Sequence, residues 1–329
     1  MKQAATTKVL AILPRAAARA TQWRPVLLLV LLGWIPTALL AVPLWRTLAE
    51  NLDNSVHSAQ WAQSMDVIMF ADLITRVGLS GSALAGAGIA AVAVLLLLLP
   101  FQHAVLVTAA RTDERIGLGE LLRAGLREYG PMLRMLLVSL IPLGVALGLA
   151  SLAFKWLGKY AQHAIVESDV DPVAWAVYAL AGLLVVYALA GIEAGRARFA
   201  LDPRKRSAFK AWWRGFKLMF FSPLRGLGIF LGITIPALIA VAALALARVE
   251  IATAGVPGFA IAWVIVQVLA AVLVWANFAR LAAYYELTRA LHDADMAVPP
   301  PRSVAPSMPT APPASAARSD PPPALPSTS

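Results

Sequence analysis

Three polar side chains interrupt stretches that are otherwise apolar: His103 in LLLLLPFQHAVLVTAA, Glu193 in LLVVYALAGIEAG and Asn277 in AAVLVWANFA. A histidine, a carboxylate and an amide could together pass a proton, but only if brought within hydrogen-bond reach of one another. Each stands near the same end of its apolar run, where water or loop residues could equally satisfy it. The set therefore supports two readings, an intramembrane polar cluster and ordinary structural satisfaction. Deeper in the apolar runs lie only Thr37, Ser139, Tyr187, Thr234 and Gln267, types that hydrogen-bond between helices. His292-Asp293-Ala294-Asp295 has metal-ligand residue types but no second cluster to complete a site, and reads as a solvated helix end. The chain has no cysteine, which excludes thiolate nucleophiles and Cys-ligated metals. No phosphate loop, metalloprotease motif, nucleophile elbow or nucleotide-binding glycine fingerprint occurs. No catalytic, metal or cofactor-binding residue is assigned, and no cofactor is expected.

The elements that would carry these residues follow from composition. Of 329 residues, 60% are hydrophobic and 14% charged, against about 25% charged in a soluble domain. The charges are bunched, leaving uncharged windows at 25–45, 77–110, 135–154, 172–192, 226–247 and 251–279. About 20 apolar residues cross a hydrocarbon core, so each window is long enough. The expected fold is all-α: a polytopic membrane protein with six transmembrane helices. Three segments are expected: a basic cytoplasmic stretch over 1–24, the six-helix domain over 25–291, and a tail over 292–329. The tail is rich in Pro, Ser, Thr and Ala, cannot bury a core and is expected to be disordered.

The first, third and fifth spans share an Ile-Pro pair: Ile35-Pro36, Ile141-Pro142 and Ile235-Pro236. An earlier proline marks where each span begins: Pro25, Pro131 and Pro223. A basic amphipathic segment precedes each of those, and an uncharged span follows. We read three helical hairpins with cytoplasmic interfacial helices, an internal repeat. Each mid-span proline removes a helix hydrogen bond, and acyl chains cannot satisfy the freed carbonyl, so the kinks at Pro36, Pro142 and Pro236 should face protein or water. The small-residue rows Ser82–Gly86–Ala90, Gly144-x3-Gly148 and Gly228-x3-Gly232 are expected to serve close internal helix packing.

The stretch SAFKAWWRGFKLMFF, 207–221, is the sharpest local signal. Phe209, Trp212, Trp213, Phe216 and Phe220 gather on one side, with Arg206, Lys210, Arg214 and Lys217 on the other. This is the pattern of a helix lying on an anionic leaflet. Topological anchoring alone would explain it; specific contact with anionic lipid through Arg206, Lys210, Arg214, Lys217, Trp212 and Trp213 is the functional reading. Membrane lipids are the expected partners. Nucleic acid is not expected, because the aromatic side is needed for the bilayer. Basic residues fall 23 against 5 between the two sets of loops, which directs both termini to the cytoplasm of a bacterial inner membrane. The apolar run before Arg15 is too short for a cleaved signal peptide.

The run AGRARFALDPRKRSAFKAWWRGFKLMFFSPLRGLGIFL resembles a recurring element of uncharacterised bacterial six-helix integral membrane proteins. It is similar in style to the membrane region attached to some glycerophosphodiester phosphodiesterases. The phosphodiesterase activity resides in a separate barrel of about 250 residues, for which this chain has no room, so the resemblance implies the membrane architecture alone. The expected function is a non-catalytic integral membrane protein that organises lipid or protein partners at the cytoplasmic face. The alternative is a transporter or lipid-moving protein whose cavity is lined by the three proline-kinked helices.

Overall fold

A computed structural model of the chain describes residues 2–52, 75, 81–112, 114, 116–163, 170–201, 207–251 and 255–297. Among the described residues every regular element is an α-helix: α1 Lys2–Ala20, α2 Trp23–Leu52, α3 Gly81–Arg111, α4 Leu118–Arg127, α5 Tyr129–His163, α6 Asp171–Leu201, α7 Ala208–Phe221, α8 Pro223–Glu250 and α9 Gly255–Ala297. Six of them, α2, α3, α5, α6, α8 and α9, are long and apolar enough to cross a membrane. The chain is thus a multi-pass helical membrane protein by architecture. The expected spans are all present, and each helix runs past the C-terminal end of its uncharged window. Once nucleated, a helix adds one hydrogen bond per residue and gains nothing by stopping at the first charge. At 43 residues, α9 is ~64 Å long at 1.5 Å per residue, and continues to Ala297 rather than stopping at Leu291. The tail from 298 onward lies outside the described residues.

Local chemistry sets the junctions. Ser207 caps α7 from an extended backbone, its hydroxyl accepting from the Lys210 N–H at 3.3 Å. A single residue, Ser222, separates α7 from α8, and Pro223 starts α8 where the missing N–H costs nothing. Glu128 likewise joins α4 to α5, with Pro131 in the first turn. A short helix therefore leads into a long one at α1–α2, α4–α5 and α7–α8, each pair separated by one or two residues.

Within residues 1–290, a compact unit, α7 packs most extensively on α6, α4 on α3, and the hairpin partners α2 on α3 and α5 on α6. The α1 helix packs on α8 and reaches α9 through Trp275, whose indole donates to the Ala17 carbonyl at 3.3 Å. The core is concentrated at the C-terminal ends of α3, α6 and α9. Nearly every residue in 104–110, 190–200 and 276–287 is buried. Elsewhere the spans are largely exposed: no more than 22% of any span's most apolar window is buried.

The glycine rows do not play the expected part. A Cβ on Gly86, Gly144 or Gly148 would meet no atom within 4 Å, so no helix approaches there. Small residues permit close approach but do not supply the partner. Gly232 does receive a neighbour, the Leu13 side chain at 3.1 Å from such a Cβ.

Candidate functional site

His103, Glu193 and Asn277 all lie in the tightly packed end, each with its own partner. His103 Nδ1 donates to the Leu99 carbonyl one turn earlier, at 2.7 Å, leaving Nε2 as the ring's acceptor. Glu193 pairs with Arg196 at 3.6 Å. Asn277 accepts from Arg280 at 3.5 Å. No hydrogen bond joins the three to one another. Two of these partners are arginines, Arg196 for Glu193 and Arg280 for Asn277.

Around these groups the helix ends are tied together by cations. Arg111 of α3 pairs with Glu128 at 3.4 Å and donates to the Ala200 carbonyl of α6. Arg19 of α1 donates to the Ala110 carbonyl at 3.0 Å and pairs with Glu286 of α9 at 3.6 Å. Arg280 reaches the Thr234 hydroxyl of α8 at 3.2 Å and lies over the Phe230 ring at 5.2 Å. The Tyr284 hydroxyl donates to the Gly226 carbonyl at 2.7 Å. A guanidinium offers five donors, and Arg19 and Arg111 use theirs on the Ala110 and Ala200 carbonyls, which stand in the last turns of α3 and α6 and have no partner in their own helix. The carboxylates of this network are engaged by guanidinium groups, and among the described residues no nucleophile lies hydrogen-bonded to a base. The arrangement is that of a clasp.

The α7 helix is fixed by backbone contact. A Cβ on Gly215 would collide with the backbone of Gly195, its Cα 2.6 Å away, and with the Ala194 carbonyl carbon at 2.8 Å. A Cβ on Gly195 would meet the Trp212 Cα at 2.9 Å. The two helices cross at this glycine pair, closer than any side chain allows. The inward face of α7 is thus Ala208, Ala211, Trp212, Gly215, Leu218 and Met219. This corrects the expectation that its aromatic residues form one lipid-facing side: Trp212, only 8% exposed, packs on α6, because the close crossing draws it in. Trp213, Phe209 and Phe220 stay exposed, as do Lys210, Arg214 and Lys217. Arg206 lies outside the described residues. The α4 helix repeats the arrangement more mildly. Leu121, Ala124 and Gly125 face inward, with the Phe101 ring of α3 filling the space where a Gly125 Cβ would be, while Leu118, Leu122 and Leu126 remain exposed.

Beside α7 an apolar groove of about 510 Å³ runs between α5 and α6. Trp212, Trp213 and Phe216 form one end, and Pro142 and Val145 of α5 with Leu183 and Tyr187 of α6 form its walls. The rings are mutually packed: Trp213 stacks on Phe216 at 5.8 Å, and Phe216 meets Tyr187 edge-on at 6.0 Å. Pro142 is the one mid-span proline on this groove; Pro36 is buried elsewhere and Pro236 is exposed. The three kinks do not share a wall of the groove. The signals missed in the sequence are Gly195, Gly215, Arg111, Arg196 and Arg280. A Gly191-x3-Gly195 spacing facing a glycine-bearing basic helix could have pointed to the first two.

No protein-family model, curated protein or solved structure matches the chain.

Proposed function

We infer that the protein is a non-catalytic inner-membrane protein that engages anionic lipid head groups at the cytoplasmic face through α7. The observation that carries this reading is the division of α7: its small-residue face is committed to α6, while Lys210, Arg214 and Lys217 stay exposed on a helix with no acidic residue. Such cations contribute ~1 kcal/mol each near an anionic surface before screening. The glycine crossing and the Ser207 cap fix the helix that carries them. The absence of a hydrogen-bonded link among His103, Glu193 and Asn277 favours binding over catalysis. Both termini are assigned to the cytoplasm by the 23-to-5 distribution of basic residues. The order short helix, odd span, even span, repeated three times, favours an ancestral hairpin used three times.

The test uses full-length protein in nanodiscs containing phosphatidylcholine with a minor share of phosphatidylglycerol. Lipid co-purifying with the protein after detergent extraction is then quantified. Wild type should enrich phosphatidylglycerol, and Lys210→Gln/Arg214→Gln/Lys217→Gln should abolish the enrichment without changing the melting temperature. Equal enrichment in both proteins would refute the reading.

A further inference from the structure

We propose that the groove between α5 and α6 is a binding site for one acyl chain of an anionic phospholipid, whose head group is held by Lys210, Arg214 and Lys217. The proposal rests on the lipid reading of α7 and adds a defined chain site to it.

The groove has the chemistry of a hydrocarbon site. Its walls are Ile141, Pro142, Val145, Leu149, Leu183 and Leu184, drawn from two membrane-spanning helices. A volume of about 510 Å³ falls in the ~300–1,000 Å³ range of small-molecule sites. From Ile141 to Leu149 the wall runs ~12 Å along the helix axis at 1.5 Å per residue, a large part of one leaflet's hydrocarbon depth. Such a slot between spans cannot hold water stably, since its lining offers almost no polar partner. In a bilayer the occupant at that depth is an acyl chain.

The identity of the head group follows from the helical register of α7. Trp213 lines the groove, and residues three before and four after it on a helix share its face. Those residues are Lys210 and Lys217. Arg214 completes the i, i+4, i+7 row with them. Lys210 and Lys217 therefore lie beside Trp213 on α7 rather than opposite it, Arg214 is next to them, and α7 carries no carboxylate to oppose an anion. Trp213 lines the groove and is itself half exposed, and an indole with one apolar and one polar edge suits a membrane interface. Trp212 adds a buried indole N–H that has no hydrogen-bond partner. The glycine crossing with α6 keeps this end of the groove in register with its walls, because α6 provides both the crossing point and Leu183, Leu184 and Tyr187.

The experiment is photo-crosslinking of full-length protein in vesicles, with phosphatidylglycerol or phosphatidylcholine bearing a diazirine in one acyl chain. Adducts are mapped by peptide mass spectrometry. Phosphatidylglycerol adducts should concentrate on 141–149 and 183–188. They should exceed phosphatidylcholine adducts there by about tenfold, the factor three surface cations retain once salt screens about half of their attraction. Exposed residues such as Ile239 and Leu246 should label weakly and without head-group preference. Val145→Trp/Leu149→Trp should remove the groove adducts and spare the others. Competition in wild type needs no variant: unlabelled phosphatidylglycerol should suppress groove labelling, and unlabelled phosphatidylcholine should not. Labelling spread evenly over all exposed faces means annular lipid only, and overturns the groove site. In that case phosphatidylglycerol enrichment that Lys210→Gln/Arg214→Gln/Lys217→Gln abolishes would leave the α7 reading intact. Groove labelling that is equal for both lipids overturns the anionic assignment and the α7 reading together.

Discussion

The ends of α3, α6 and α9 contrast with the other stretches of the same spans. At the ends, alanines and glycines let backbones approach, three arginines reach oxygens of neighbouring helices, and Ala104, Ala194 and Ala282 are wholly buried. Along the rest, large side chains such as Ile89, Ile239 and Leu246 are exposed. In hydrocarbon, apolar side chains gain nothing by leaving lipid for one another, so association must come from close packing and polar contacts. The fold accordingly puts its small residues and buried charges together at one end and leaves the remainder to the lipid. That division explains how a protein with so little packing along its spans can still hold α7 in one place.

The sharpest way to break the contrast is to add volume on both sides of it. Gly215→Leu should leave little folded protein recoverable by size-exclusion chromatography, because the new side chain meets backbone that cannot move aside. Gly144→Leu should be recovered like wild type, within ~0.5 kcal/mol, as a substitution that touches nothing. Next in size, Glu193→Ala leaves Arg196 as a buried charge without its carboxylate and should cost ~3–5 kcal/mol, read by thermal unfolding in detergent. Tyr284→Phe removes the hydrogen bond to the Gly226 carbonyl and should cost ~1 kcal/mol in the same assay. A small loss is expected in the loosely packed region. Trp34 donates to Gln267 at 2.8 Å between α2 and α9, and Trp34→Phe should cost only ~0.6 kcal/mol, the average for such bonds in membrane helices. A Trp34→Phe loss as large as that of Glu193→Ala would erase the distinction between the two regions.

How far the sequence carries differs along the same line. The six spans and α7 are legible in it, because charge-free length and a two-sided helical pattern are properties of one segment alone. The packing of those segments is not. Gly144-x3-Gly148 and Gly191-x3-Gly195 look alike as text, yet one faces open space and the other receives the Gly215 backbone. A glycine states that an approach is allowed, and only the fold states whether anything comes. Arg111, Arg196 and Arg280 stand just beyond the C-terminal ends of uncharged windows in the sequence, which does not show which oxygens they reach. The use of Arg111 and Arg19 as donors to other helices' carbonyls depends on neighbours 89 and 91 residues away in the chain. His103, Glu193 and Asn277 stand out in the sequence as unusual, but what engages the last two is a pair of arginines, Arg196 and Arg280.

The crossing of α7 on α6 bears most directly on the account, and the cysteine-free chain makes it accessible. A Cβ at Gly191 would lie 3.8 Å from the Phe216 ring, so Gly191→Cys/Phe216→Cys places two thiols within reach of a short bifunctional thiol reagent. In native membranes the pair should cross-link within one chain nearly to completion, detected by protection of the 191–216 segment from proteolytic separation. The contrary result is no cross-link, with the Phe216→Cys thiol reacting with a water-soluble reagent as fast as the thiol of Lys217→Cys. That outcome would mean that α7 lies free on the membrane surface and would contradict the account.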